Sequence, residues 1–401
     1  MEVTIERILP GGFGLAHAEG KTLMVALAAP GDRLRVRVDR VKGNVGFASI
    51  IEVVEPSAVR IAPPCPYFGR CGGCDFQQLT YEAQLTAKAE IIKDCLHRIG
   101  RIESIPEFEV VPALNRWHYR SRAQWQYDSV RQRLGYFESA SRSVCDVSDC
   151  AVLVPELQET LKTLRHEMSE DQLSNDARYF RAVAGDQAVS VTCGLPSPIM
   201  SEERMANLSR SVNGETYTLN AESFFQTNID LLPQLIEASI ADAFGDAAIE
   251  LYSGVGLFTL PLARRFKRLV AVEENPDAAS FARQNLGNAG LANAEIVNAD
   301  VAEWLTASVA TAEFEKPSPA PALQTDFLLL DPPRAGAESR VIGGILQLRP
   351  KRICYVSCDP ATLARDLRKL IAGGYSLDSV SAFDMFPQTH HVETIANLTG
   401  P

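Results

Sequence analysis

The chain has 401 residues, 46% of them hydrophobic, and a formal net charge of −11. That length allows two or three domains with a sizeable core. The acidic balance argues against a sequence-blind nucleic-acid binder, so any RNA contact must come from local basic patches. No apolar run approaches a membrane span and no basic-plus-apolar leader is read, so we expect a soluble, cytoplasmic protein with no membrane contact.

Residues 1 to 55 alternate apolar and polar positions in Leu34-Arg35-Val36-Arg37-Val38 and again around Val45 to Val53. Pro10-Gly11-Gly12 and Pro30-Gly31-Asp32 supply turns. This pattern predicts a small all-β barrel of oligonucleotide-binding type. Arg33, Arg35 and Arg37 share one strand face, with Arg40 and Lys42 close by. They form either a phosphate-contacting face or an ordinary solvated one.

Three thiols follow, Cys65, Cys71 and Cys74, spaced C-x5-C-x2-C with Gly72 and Gly73 to bend the backbone around a ligand. In a chain with an odd number of cysteines, such a cluster favours metal over disulfides. Zinc and iron–sulfur clusters both use thiolates of this kind, and Cys145 or Cys150 could supply the fourth ligand. Thr80 to Ile99 reads as an amphipathic helix. From Trp117 to Tyr136 aromatic and basic residues interleave: Trp117, Tyr119, Arg120, Arg122, Trp125, Tyr127, Arg131. That is either a stacking platform for single-stranded RNA or a strand pair with buried aromatics. Residues 155 to 215 are generically α/β.

From about residue 216 the pattern becomes strand–turn–helix. Ala247 to Tyr252 is a strand, Ser253-Gly254-Val255-Gly256 a tight turn, and Leu257 to Arg265 a helix. The next strand, Leu269 to Glu273, ends in a carboxylate about 20 residues after the turn, as in Rossmann-like units that bind ribose hydroxyls. Helix Pro276 to Ala289, a strand from Glu295 to Asn298 and then Asp300 follow, and Glu315 to Gln324 reads as an exposed loop. Asp331-Pro332-Pro333-Arg334 closes the apolar strand Asp326 to Leu330, placing a carboxylate at the edge where ligands bind. Strand Arg352 to Val356 leads through Ser357-Cys358-Asp359-Pro360 into a helix, Ala361 to Ile371. A thiol there sits beside a helix N-terminus, which lowers its pKa and marks it as a nucleophile; the bland alternative is a buried structural cysteine. Glu393 precedes the last strand and is a candidate base.

Together, Cys65…Cys71…Cys74, Phe224-Phe225-Gln226-Thr227-Asn228, Asp331-Pro332-Pro333-Arg334, Ser357-Cys358-Asp359-Pro360 and His391-Val392-Glu393 resemble the S-adenosyl-L-methionine (SAM)-dependent RNA (uracil-5-)-methyltransferases. The resemblance covers nearly the whole chain and is closest to the branch with a TRAM domain and a 4Fe–4S cluster, which modifies 23S ribosomal RNA or the tRNA T-loop. It implies an α/β protein in three parts: a TRAM barrel over 1–55, a central α+β iron–sulfur domain over 56–215, and a class I methyltransferase domain over 216–401, with helix 80–99 packing on that last domain. It implies that Cys65, Cys71, Cys74 and Cys150 hold the cluster, with zinc as the alternative metal. Gln226, Tyr252, Gly254, Glu273, Asp300 and Asp331 would bind SAM; Cys358 would be the nucleophile and Glu393 the base. The basic N-terminal face and the Arg120–Arg122 segment would contact RNA. Leu257 stands where many members carry a polar residue, so a cofactor contact there is backbone or apolar.

The implied reaction explains the residue types. Carbon 5 of uracil is a poor nucleophile until a thiolate adds at carbon 6, and the product must then lose its C5 proton to a placed base. The target base must be flipped out of its stack. Ribosomal RNA is the expected substrate ahead of tRNA, and a monomer with no obligate protein partner is expected. An RNA-binding module with an inactive methyltransferase domain is the alternative from another class, and intact Cys358 and Glu393 argue against it. Methylation of an adenine or cytosine is disfavoured by the same pair.

Overall fold

The computed structural model describes residues 1–194, 206–314 and 325–401, with the backbone alone for 310–314. The loop expected over Glu315 to Gln324 lies outside the described residues. The chain opens with six strands, β1 (Glu2–Thr4), β2 (Arg7–Ile8), β3 (Gly14–Ala18), β4 (Lys21–Val25), β5 (Arg33–Lys42) and β6 (Val45–Glu55), hydrogen-bonded in the order β1-β5-β6-β4-β3-β2. Alternation in β5 turns Leu34 and Val36 into a core with Val3, Ile5, Leu23 and Val25. It leaves Arg33, Arg35 and Arg37 outside, where each meets an acid: Glu55, Glu2 and Glu52, and Asp39 respectively. These arginines sit on one face as read from sequence, but their charge is largely matched by carboxylates on that face.

A long helix, α1 (Tyr81–Arg98), is capped by the Thr80 side chain and leads to a two-residue strand, β7 (Val110–Val111). The central sheet follows: β8 (Arg122–Asp128), β9 (Arg133–Phe137), β10 (Val144–Asp146), helix α2 (Pro155–Ser169), β11 (Tyr179–Ala184) and β12 (Val189–Cys193), in the order β10-β9-β8-β11-β12. Its core contains Trp125, Tyr127 and Phe180 against Leu157, Leu161 and Leu164 of α2.

Strands β13 (Leu208–Val212) and β14 (Glu215–Leu219) form a hairpin ahead of α3 (Leu232–Ile240). The remaining elements alternate: β15 (Gly245–Leu251), α4 (Thr259–Ala263), β16 (Phe266–Glu273), α5 (Pro276–Asn288), β17 (Ala294–Asn298), α6 (Val301–Phe314), β18 (Phe327–Leu330), α7 (Ser339–Leu348), β19 (Arg352–Ser357), α8 (Pro360–Ala372), β20 (Ser376–Phe383) and β21 (Glu393–Thr399). They build an eight-stranded sheet in the order β17-β16-β15-β18-β19-β21-β20-β7. β15 to β19 run parallel, and β21 returns antiparallel to β19. Successive side chains of a strand point to opposite faces, and β18 divides accordingly. Leu328 and Leu330 join a core with α1, α6, α7 and α8, while Phe327 and Leu329 join one with α3, α4 and α5. Helix α1 and strand β7 therefore belong structurally to this layered unit: α1 packs on α8, and β7 pairs in parallel with β20. Among the described residues no helix is long and apolar enough to cross a membrane.

Candidate active site

From β15 the chain steps outward through β16 and β17, then returns to place β18 on β15's other side. The crevice at such a reversal, beyond the carboxyl ends of the strands, is where open α/β sheets bind ligands. Tyr252, Glu273, Asp300, Asp331 and Cys358 all follow or end parallel strands at this edge.

The glycine turn is built for close approach. Tyr252 and Gly254 both have positive φ, 65° and 56°, a conformation that folds the backbone sharply away from the strand. Glu273 fastens the turn: its carboxylate accepts from the Gly254 N–H at 2.8 Å and from the Asn275 N–H at 2.7 Å. Each carboxylate oxygen has further lone pairs, so Glu273 keeps acceptor capacity toward a ribose. Asp300 accepts from the Glu303 N–H at 2.8 Å in the first turn of α6. Leu257 is buried, and its carbonyl already accepts from the Tyr217 hydroxyl at 3.1 Å.

Cys358 and Glu393 meet through register. The β19–β21 ladder ends at Ser357 opposite Thr394, and one residue further along an antiparallel pair stand Cys358 and Glu393. Asp331 joins them from the end of β18 and receives a hydrogen bond from the side chain of Gln226, which is buried. In this desolvated space Asp331 raises the proton affinity of Glu393, and both carboxyls raise that of the Cys358 thiol. Burial above all holds Asp331 up at about 7 and Glu393 well above the usual carboxylate range, with Asp331 adding to the latter. Burial, then Glu393, pushes the Cys358 thiol up to about 12. This corrects the expectation of a lowered thiol pKa. The α8 N-terminus is already capped by the Asp359 carboxylate, which accepts from the Ala361 and Thr362 N–H groups at 3.0 and 2.9 Å, so little positive field remains for the sulfur. The nearby cation is Arg334, whose charge opposes both upward shifts. Its place in Asp-Pro-Pro-Arg was visible in the sequence, but no role was read for it there.

Several buried polar atoms on these segments have no partner: Glu393 Oε1, Thr394 Oγ1, Thr227 Oγ1, Ser253 Oγ and both amide atoms of Asn228. Orphaned buried groups of this kind cost about 1–3 kcal/mol each unless something pairs with them. Glu393 Oε1 and Ser253 Oγ stand on segments that end at the crevice, where a ligand could pair with them.

A second cluster lies in the central region. Cys65, Cys71, Cys74 and Cys150 line one pocket together with Tyr67, Arg120 and Tyr136. Cys145 lies outside that lining: it is buried on β10, where the Arg70 Nε donates to its sulfur at 3.3 Å. Burial pushes Cys71 up to about 11 and Cys74 to about 12, while Arg120 draws Cys74 and Cys150 back down. Among the described residues no group of three or more His, Cys, Asp or Glu side chains is placed to hold a metal ion.

Of the two readings of Trp117 to Tyr136, the strand pair with buried aromatics is the one that its main aromatics take. Tyr119, Trp125 and Tyr127 are buried. They occupy inward positions of an alternating strand and its approach, and their bulk is what closes the central core. Arg120 faces the thiol pocket, and Arg122 is committed to the carbonyls of Ser223 and Ala221. Phe224, 59% exposed beneath the Arg122 guanidinium, is the solvent-facing ring of this neighbourhood.

The family model described as tRNA (Uracil-5-)-methyltransferase matches residues 199–399, and the TRAM domain model matches 1–51. An uncharacterized RNA methyltransferase of Halalkalibacterium halodurans is 31% identical, with 99% of this chain and 96% of that protein covered. The 23S rRNA (uracil(1939)-C(5))-methyltransferase RlmD of Pseudomonas putida is 32% identical over 98% of this chain and 92% of its own. Among solved structures, the Pyrococcus abyssi tRNA (uracil-54, C5)-methyltransferase in complex with S-adenosyl-L-homocysteine superposes over 100% of both chains with a TM-score of 0.74 and 26% identity. This chain belongs to the RNA (uracil-5-)-methyltransferase family and carries a TRAM domain at its N-terminal end.

Proposed function

We propose that the protein transfers the methyl group of SAM to carbon 5 of one uridine in 23S ribosomal RNA, through a covalent adduct on Cys358. The carrying observation is the apposition of Cys358 and Glu393 across the end of the β19–β21 ladder, with Asp331 and Arg334 beside them. In this reading Cys358 adds to carbon 6 as its thiolate, its proton already lost, and the resulting enolate takes the sulfonium methyl at carbon 5. Glu393 then removes the C5 proton, the C5–C6 double bond re-forms and the thiolate leaves. Asp331 and Gln226 orient the ring. Gln226, Tyr252, Gly254, Glu273, Asp300 and Asp331 bind SAM across the switch point. The unpaired atoms at Ser253, Thr227 and Asn228 offer further donors and acceptors to cofactor or base.

Ribosomal RNA is favoured by the 31–32% identity to RlmD proteins over nearly their full length. A T-loop uridine of tRNA is the second reading, favoured by the full-length match to the Pyrococcus enzyme. The chain works as a cytoplasmic monomer in three parts, with boundaries near residues 55 and 215, save that α1 and β7 join the C-terminal unit.

Cys65, Cys71, Cys74 and Cys150 would hold a 4Fe–4S cluster. Four thiols lining one pocket are the donor set that an iron–sulfur cluster takes, and Arg120 supplies a facing cation. When bound, the cluster would cross-tie the central region and take no part in methyl transfer.

The test is nucleoside mass analysis of unmodified rRNA and tRNA transcripts after incubation with protein and SAM. 5-Methyluridine in the rRNA transcript alone is expected, and Cys358→Ala should abolish it while retaining SAM binding. RNA binding without methylated uridine would return the binding-module reading.

A further inference from the structure

Cys74 is followed directly by Asp75 and Phe76, whose backbone N–H groups both donate to the Gln388 carbonyl, at 3.1 and 3.0 Å. The Asp75 carboxylate reaches two residues further along the same segment. Its Oδ1 accepts from the His390 backbone N–H at 2.8 Å, and its Oδ2 pairs with the His390 ring Nδ1. Gly12, in the Pro10-Gly11-Gly12 turn of the N-terminal sheet, closes over this pair. Its φ is +80°, and a β-carbon there would stand 3.0 Å from Asp75 Oδ2 and 3.1 Å from the His390 β-carbon. From α1, Gln84 and Gln388 exchange two hydrogen bonds at 3.0 Å, and Lys88 pairs with Asp384 and donates to the Phe386 carbonyl.

The segment from Asp384 to His390 is thus gripped by groups from the N-terminal sheet, the thiol-bearing loop and α1. Three residues past His390 stands Glu393, whose Oε1 has no partner of its own. Its backbone opens β21, opposite Phe383 of β20, and the gripped segment is the connection between those two strands, so it sets how the chain enters β21 at Glu393. Cys358 reaches the crevice from β19, which none of these bonds touches.

We propose that Asp75 and His390 form a positioning latch, backed by Gly12, that sets the Glu393 carboxylate for removal of the C5 proton. The proposal rests on the reading of Glu393 as the base. It separates the two halves of the reaction. Forming the S–C6 bond and moving the methyl group need Cys358 and SAM; taking the C5 proton, restoring the C5–C6 double bond and breaking the S–C6 bond need Glu393 in place. A loosened latch stalls the second half and leaves RNA bonded to the protein.

The experiment incubates full-length protein with SAM and the RNA transcript that it methylates, and reads RNA–protein adduct surviving denaturation on a gel alongside turnover and SAM affinity. Asp75→Ala should accumulate adduct with unchanged SAM affinity, and turnover should fall about 10–100-fold, the scale of a misplacement near an ångström. Asp75→Asn should recover most of the turnover, because its amide oxygen still accepts from the His390 N–H. Should Asp75→Ala not fold, His390→Ala removes only the ring contact and should shift adduct the same way, less far. Adduct and turnover falling together, or neither changing, overturns the latch. Glu393→Gln is run in parallel. If it traps adduct and Asp75→Ala does not, the latch alone is wrong; if Glu393→Gln traps none, the base reading falls and the latch with it.

Discussion

Glu250 sits on β15 beneath the glycine turn, 1% exposed, with one acceptor oxygen bonded by the Thr259 hydroxyl at 2.6 Å. Burial, aided by Asp331 and Glu273, raises its pKa from 4.5 to about 8. The folded state therefore holds this proton more tightly than the unfolded chain does. Stability from the group is fully present below pH 4.5 and is lost as pH rises through about 8. At about 1.4 kcal/mol per pH unit across that interval, the loss has a ceiling of about 5 kcal/mol, a large share of the roughly 5–15 kcal/mol that holds a domain folded. Glu250→Gln keeps the oxygen that Thr259 needs and cannot ionise. Urea unfolding of both proteins from pH 5 to pH 9 measures the difference. Near pH 5 the variant should be equal or slightly weaker. By pH 8 it should be the more stable by several kcal/mol, with a flatter dependence on pH. A wild-type-minus-variant difference that is the same at pH 5 and pH 8 would refute a buried, proton-holding Glu250.

Two further outcomes are expected. With Cys358 held up at about 12, the rate of adduct formation at saturating RNA should climb about tenfold per pH unit through the neutral range, as the thiolate fraction does; a flat profile would place the thiolate at neutral pH after all. Cys150→Ser should strip bound iron and visible absorbance from anaerobically purified protein, while Cys145→Ser leaves both; equal loss from the two, measured by metal analysis, would remove the distinction between them.

What the sequence disclosed was local. Phe327-Leu328-Leu329-Leu330 can only be a doubly buried strand, and Ser357-Cys358-Asp359-Pro360 announces its turn and helix because Asp caps and Pro opens helices. The glycine turn and the acid ending β16 were legible for the same reason. What stayed hidden depended on partners distant in sequence. Lys88, within the helix read from Thr80 to Ile99, is fully buried against Asp384, 296 residues away. Trp125 and Tyr127 carry the same letters whether they face RNA or a core, and only the packing of α2 decides. The thiol of Cys358 was read from the helix beside it. Its actual environment is set by Glu393, Asp331 and the Asp359 cap, which only the folded edge brings together.

The pairing of β7 with β20 has a consequence for how the chain is made. Val110 and Val111 stand beside Ala382 and Phe383, so the sheet's last ladder joins residues synthesised early to residues synthesised nearly at the end. Helix α1 waits likewise for α8. Such non-local closure is slow, and until it happens the growing chain carries an unburied helix face off the ribosome. A fragment beginning at residue 216 would leave β20 as a bare sheet edge, the kind that recruits other chains. The C-terminal half should therefore be expressed together with residues 81–111, and nicking the chain between them should leave two pieces that stay associated.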